Sequence, residues 1–144
     1  MPNERRLGRI AAMQFFYQWE AQPDSPFESQ LQRFWELHEQ AEKARGYGEE
    51  LIRGMKDRIA ELDAIIAQYV DNWELPRIAQ VDRNILRVAV YEMKYRMDVP
   101  PVVSIDEAIE IAKRFSSEQS SRFINGVLDR YRKELPRPAR QPTS

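Results

Sequence analysis

Val81-Asp82-Arg83-Asn84-Ile85-Leu86-Arg87-Val88-Ala89-Val90-Tyr91-Glu92-Met93-Lys94-Tyr95-Arg96-Met97 decides the fold class. Val81, Ile85, Val88, Ala89 and Met93 recur at helical spacing and share one broad face, with Tyr91 and Tyr95 beside it. A half-buried strand would instead alternate apolar and polar residues. Asp98-Val99-Pro100-Pro101 ends the helix, because proline has no amide for the ladder and disfavours helical backbone before it.

The same period extends in both directions. Downstream, Ser104-Ile105-Asp106-Glu107 reads as a capping box opening a helix that ends near Phe115. Ser116 and Ser117 begin the last helix, whose Phe123, Val127 and Tyr131 form one apolar row and Ile124 and Leu128 the next. Pro136-Arg137-Pro138-Ala139-Arg140-Gln141-Pro142 reads as part of a disordered tail over 136–144. Upstream, Leu7, Ile10, Ala11, Phe15 and Trp19 stripe a first helix from about Glu4 to Ala21. Ser25, Pro26 and Glu28 read as cap, first helical residue and capping partner of a second helix carrying Phe27, Leu31, Phe34, Trp35 and His38. A third apolar series runs from Ala41 to Val70, long enough that a break is expected near Arg58–Leu62. Asp71-Asn72-Trp73-Glu74-Leu75-Pro76 is the central punctuation. No alternating pattern and no internal repeat occurs. The expectation is one compact all-α bundle of six to seven helices.

Composition removes most catalytic classes. The 144 residues contain no cysteine and one histidine, His38. Thiol chemistry, disulfides, cysteine-ligated metals and multi-imidazole zinc sites are therefore excluded, and a lone histidine argues against a histidine relay. Neither G-x-G-x-x-G nor G-x-x-x-x-G-K-[ST] is present. Glu107 and Glu110, and the serines at 116, 117, 120 and 121, read as helix surface and caps. No apolar run is long enough to span a membrane, and no apolar core of signal-peptide length follows the N-terminus, so a cytoplasmic location is expected.

The net charge of −1 hides a segregation. Residues 1–19 carry +2, residues 20–63 carry −5 and residues 64–144 carry +2. Arg5, Arg6 and Arg9 cluster on the first helix, near a terminus whose unpaired amides and positive dipole end also suit phosphate. Lys113, Arg114 and Arg122 flank the turn before the last helix, and Phe123 adjoins Arg122 as a base-stacking candidate. By its row, Phe123 reads as a core residue before it reads as a platform. Asn125-Gly126 falls in mid-helix, where glycine costs about 1 kcal/mol relative to alanine; close helix–helix approach at Gly126 is the expected reason.

Four ordered segments carry a resemblance. Val81–Met93 resembles the central helix of the NusB transcription antitermination family, and Val99-Pro100 with Ile105-Asp106-Glu107-Ala108-Ile109-Glu110-Ile111-Ala112-Lys113 resembles its next helix. Arg122-Phe123-Ile124-Asn125-Gly126-Val127-Leu128-Asp129 resembles its signature, and Arg9, Ala12, Gln14, Tyr17 and Trp19 fit its N-terminal pattern. The resemblance covers about residues 5–133.

It implies a single all-helical RNA-binding domain over 1–135, in two packed halves of about 1–72 and 73–135. It implies no catalysis, no cofactor and no metal. The implied ligand is boxA-type single-stranded RNA of ribosomal RNA leaders. The implied partners are the small-subunit ribosomal protein that doubles as NusE and the RNA polymerase antitermination complex, with no membrane. Position by position, it places Arg5, Arg6, Arg9, Gln119, Arg122 and Phe123 at the RNA, and Tyr17 and Asp82 at the ribosomal protein. Leu7 and Gly8 interrupt the basic run, Gln119 stands where an acidic residue is frequent, and Ser116 and Ser117 replace a small-residue turn. Two other readings of the chain are a helical protein-interaction module without RNA binding, and a recognition module related to that of ribosomal-RNA cytosine methyltransferases. For the latter, 144 residues leave no room for a methyl-transfer domain.

Overall fold

The computed structural model describes residues 3–38, 41–71 and 75–142. Asn72, Trp73 and Glu74 of the expected central punctuation lie outside the described residues. Seven α-helices and one 3-10 turn occur among the described residues: α1 (Glu4–Glu20), α2 (Phe27–Leu37), α3 (Ala41–Met55), α4 (Ile59–Gln68), the turn Leu75–Arg77, α5 (Gln80–Tyr95), α6 (Pro101–Phe115) and α7 (Glu118–Glu134). The all-α expectation holds. The helices divide into two compact units, Met1–Lys56 and Asp57–Ser144. The sequence reading put that division near 72. It falls earlier because α4 packs on α5, where Arg87 reaches back to Asp63 with two hydrogen bonds of 2.7 Å.

In the first unit, α1 packs along α3, and α2 packs against both. The Asn3 side chain caps α1 by accepting from the Arg6 amide at 2.7 Å. Phe15, Phe16, Leu31, Phe34, Leu51, Ile52 and Met55 are almost wholly enclosed. The Phe15 ring meets Phe16, Phe27 and Phe34 edge-on at 5.2–5.6 Å, the arrangement favoured by the aromatic quadrupole. Pro26, with ψ at 136°, occupies the cap of α2 in place of Ser25. Glu28, the expected capping partner, instead takes a bidentate pair from Arg53 at 2.7 and 2.9 Å, tying α2 to α3. His38 is a packing residue: its ring lies 3.8 Å from that of Phe34, and its Nδ1 is 2.7 Å from the Phe34 carbonyl.

In the second unit, α5 is the central element, packed by α4, α6 and α7. Every residue from Asn84 to Met93 is buried, which is why that stretch is apolar beyond a single face. Two local expectations are corrected. α6 starts at Pro101, so Ser104 is an interior residue and not a cap. Proline at the first helical position needs no amide partner and has the right φ, whereas α5 has already ended at Tyr95, ahead of the proline pair expected to stop it. Gly126 is not a helix-packing glycine: it is exposed, and no described atom lies within 4 Å of where a Cβ would stand. Ser117 does cap α7, accepting from the Ser120 amide at 3.0 Å. Of the expected tail, 143–144 lie outside the described residues, and the described part is tied to the fold. Arg137 donates to the Met93 and Val99 carbonyls at 2.8 and 2.7 Å, and the Val102 amide donates to the Ala139 carbonyl at 2.9 Å.

Candidate nucleic-acid interface

The helical period of α7 sorts its side chains into two sets. Ile124, Val127, Leu128 and Tyr131 are buried. Gln119, Arg122, Gly126, Arg130 and Lys133, spaced by three and four, are exposed along the opposite face. Phe123 stands at the boundary. It is half-buried and does not join the core; its ring borders a cleft of about 290 Å³ together with Arg77, Asp82, Ser117, Gln119 and Ser120. The sequence row that grouped Phe123 with Val127 and Tyr131 is wide enough for its first member to turn outward.

The cleft is polar on one side and aromatic on the other. Asp82, at 6 % exposure, accepts from the Ser120 hydroxyl at 2.7 Å, and Ser120 accepts from Ser116 at 3.0 Å. The other Asp82 oxygen, Oδ1, is enclosed and has no hydrogen-bond partner among the described residues. Asp82 is therefore a group of the cleft floor, and its burial keeps it off the outer surface. Arg122 is 79 % exposed and only loosely attracted to Glu118, at 4.0 Å on the adjoining turn. Its guanidinium is available to an anion beside the Phe123 ring. Together the cleft gathers Asp82, Gln119 and Phe123, with Arg122 on the same helix.

In the first unit the three N-terminal arginines are unequal. Arg5 is exposed, Arg6 partly so, and Arg9 is buried at 3 %. Arg5 and Arg9 both lie over the buried Tyr47 ring, at 4.6 and 5.5 Å from its centroid. Such stacking holds a guanidinium in place over the ring. Tyr17 is 48 % exposed on α1, unusual for so large an apolar group here.

Sequence reading missed Arg77, Ser117 and Ser120 as cleft residues and Tyr47 as the ring under the arginines. Ser117 and Ser120 carried a local signal only as caps. Among the described residues no cluster of histidine and carboxylates could hold a metal ion, and no helix is long and apolar enough to cross a membrane.

Fold and site thus define a small all-α protein whose exposed helix faces pair arginines with aromatic rings. A sequence profile of the NusB family matches residues 6–133. The transcription antitermination protein NusB of Myxococcus xanthus is 40% identical over 138 residues, covering 93% of this chain and 98% of the relative. That of Thermodesulfovibrio yellowstonii is 38% identical over 140 residues, covering 91% and 93%. Among solved structures, T. maritima NusB superimposes with a TM-score of 0.75 at 38% identity, covering 96% of this chain and 95% of that one. A crystal structure of the antitermination factors NusB and NusE in complex with double-stranded RNA has a chain with the same fold, at a TM-score of 0.78, 24% identity and coverage of 94% and 100%. The chain belongs to the NusB family.

Proposed function

We propose that this protein is a cytoplasmic transcription antitermination factor that binds boxA-type single-stranded RNA of ribosomal RNA leaders. It does so together with the small-subunit ribosomal protein that acts as NusE, and the assembly joins RNA polymerase. Its role is scaffolding, with no bond made or broken. The observation that carries the reading is the placement of Phe123: a half-buried ring that borders a cleft and is followed by a core residue, with the exposed Arg122 beside it. A rigid ring accepts a base face, a guanidinium takes the adjoining phosphate, and the amide of Gln119 can meet a base edge. Arg5 and Arg6 supply further phosphate contacts from α1, with Arg9 fixing the stack on Tyr47 beneath them.

On the protein side, the exposed Tyr17 is the residue offered to the ribosomal partner. The acidic Asp82 acts from within the cleft, where it sets the polarity met by an entering base. The excess of acid over 20–63 suits a very basic ribosomal protein.

The test is a titration of boxA-type RNA at several salt concentrations, with and without the ribosomal protein. Binding should weaken with salt, by about 0.7 in log–log slope per phosphate neutralised, or about 2–3.5 for three to five contacts. Phe123→Ala should weaken binding by about 1–3 kcal/mol with little loss of stability. A flat salt response and no measurable affinity would leave a protein-interaction module without RNA binding.

A further inference from the structure

Gly126 is the ninth of the 17 residues of α7, in the middle of the helix, and nothing among the described residues explains it. Glycine in a helix interior is unfavourable relative to alanine, because its backbone gives up more freedom on becoming helical. A positive φ would justify it, and none occurs among the described glycines. Tight packing would justify it, as it does for Gly8, where a Cβ would stand 2.7 Å from a backbone nitrogen of α3. At Gly126 the Cβ would meet open space. The remaining physical use of a missing side chain is to let something outside the chain come close to the helix backbone.

The surroundings indicate what that is. Gly126 lies at i+3 from Phe123 and i+4 from Arg122, about 4.5 Å along the axis from the Phe123 Cα. Arg130 follows one turn later and folds back, its Nε donating to the Gly126 carbonyl at 3.3 Å, and Lys133 continues the face. The neighbouring carboxylate, Asp129, is already taken by Arg132 and Lys133 at 2.8 and 3.3 Å. The glycine is thus a bare spot on a cationic face that is continuous with the Phe123 cleft.

We infer that Gly126 is the close-approach point at which the sugar–phosphate backbone of bound single-stranded RNA lies against α7, with a base on Phe123 and the flanking phosphates on Arg122 and Arg130. The inference rests on the RNA reading of the Phe123 cleft and extends it by one helical turn. A strand stacked on Phe123 must carry its ribose away from the ring, and any side chain at 126 would hold that ribose off the helix. Charge favours an anionic strand here over the basic ribosomal protein.

The experiment compares wild type, Gly126→Ala, Gly126→Leu and Phe123→Ala. Three quantities are read: Tm, affinity for boxA-type RNA with the ribosomal protein saturating, and affinity for the ribosomal protein without RNA. Gly126→Ala should raise Tm by about 2–4 °C, since helix propensity improves and nothing clashes. It should also weaken RNA binding about threefold or more, with Gly126→Leu weaker still, and lower the salt slope by about 0.7 per phosphate lifted away. Opposite signs for stability and affinity are the signature, because a merely structural glycine would not produce them. If Phe123→Ala loses RNA while both Gly126 variants bind as wild type, the inference fails and the RNA reading stands. If none of the variants loses RNA, the reading itself fails. A fall in Tm for Gly126→Ala, or a loss confined to the ribosomal protein, overturns the inference as well.

Discussion

Gly8 on α1 and Gly48 on α3 bring two helix backbones into direct contact: a Cβ on Gly8 would lie 2.7 Å from the Gly48 nitrogen, and one on Gly48 would lie 3.3 Å from the Gly8 Cα. At Gly8 the nearest atom is backbone, which cannot yield locally; at Gly48 the nearest is the Trp35 ring, at 3.0 Å. Gly8→Ala should therefore destabilise the protein by about 1–3 kcal/mol, as overpacking does. Gly46, exposed on α3 with nothing within 4 Å of a Cβ, is the internal control; Gly46→Ala should be stabilising by about 0.5–1 kcal/mol. Urea denaturation of the two variants checks both signs. Equal effects would mean that α1 and α3 do not meet at these glycines.

The same contact explains why the basic run at the N-terminus is broken. Arg5 and Arg9 straddle Gly8 on one helix face and share the Tyr47 ring, but Arg5 is exposed and Arg9 is enclosed. Their alanine variants should therefore separate. Arg5→Ala should lower RNA affinity and the salt slope by about 0.7 while leaving Tm nearly unchanged. Arg9→Ala should cost about 1–3 kcal/mol of stability, because a long buried stem and its ring contact are lost. Paired melting and RNA-binding curves decide the matter. Identical behaviour would return the two arginines to a single class.

The helical class and the order of helices were legible because burial period survives in the letters: α5 reads as helix from Val81, Ile85, Val88 and Met93 alone. What the letters could not carry was partnership across the chain. Gly8 reads as a gap among arginines until Gly48, forty residues on, supplies the reason. Asp82 reads as an outward acid, whereas the α7 serines that fold over it make it a cleft floor. Ser104 and Glu107 match a capping box, yet both are buried, and Pro101 captures the helix start three residues earlier. Gly126 reads as packing because packing is the commoner use of a helical glycine. On α7, Arg122 and Phe123 were legible as a cation beside an aromatic residue, and Gln119 came through resemblance; their division into cleft, face and core became visible only with the helix in place.

Glu61 gives the second unit a pH dependence whose direction follows from its partners. Its carboxylate accepts from Lys94 Nζ at 2.8 Å and from the Tyr95 hydroxyl at 2.6 Å, joining α4 to α5. The Lys94 and Tyr95 hydrogen bonds hold it below its ordinary value of 4.5. A carboxylate depressed by folding contributes stability that is full above its unfolded pKa and is lost as pH falls through the folded one. Stability should therefore decline as the solution is acidified below about pH 4.5, and Glu61→Gln should flatten part of that decline while lowering stability near neutrality. Denaturation midpoints measured between pH 3 and 7 test this. A variant whose acid limb runs parallel to wild type would remove Glu61 from the account.

Arg137 turns the C-terminal segment into part of the fold. Its guanidinium donates to the carbonyls of Met93, Met97 and Val99, at 2.8, 3.3 and 2.7 Å, where α5 ends and its last carbonyls have no amide partners of their own. A cation there also meets the negative end of the helix dipole. The proline-rich composition of 136–142 concealed this, since the binding is done by one side chain reaching back more than forty residues. Arg137→Ala should cost about 1.5–3 kcal/mol, the range for hydrogen bonds from a charged donor, whereas exposed Arg140→Ala should stay within about 0.5 kcal/mol. Truncation after Leu135 should also speed exchange of the Val102 amide, which gives its hydrogen to Ala139. Undiminished stability in Arg137→Ala, with Val102 still protected in the truncated chain, would leave the segment an appendage and return the α5 terminus to water.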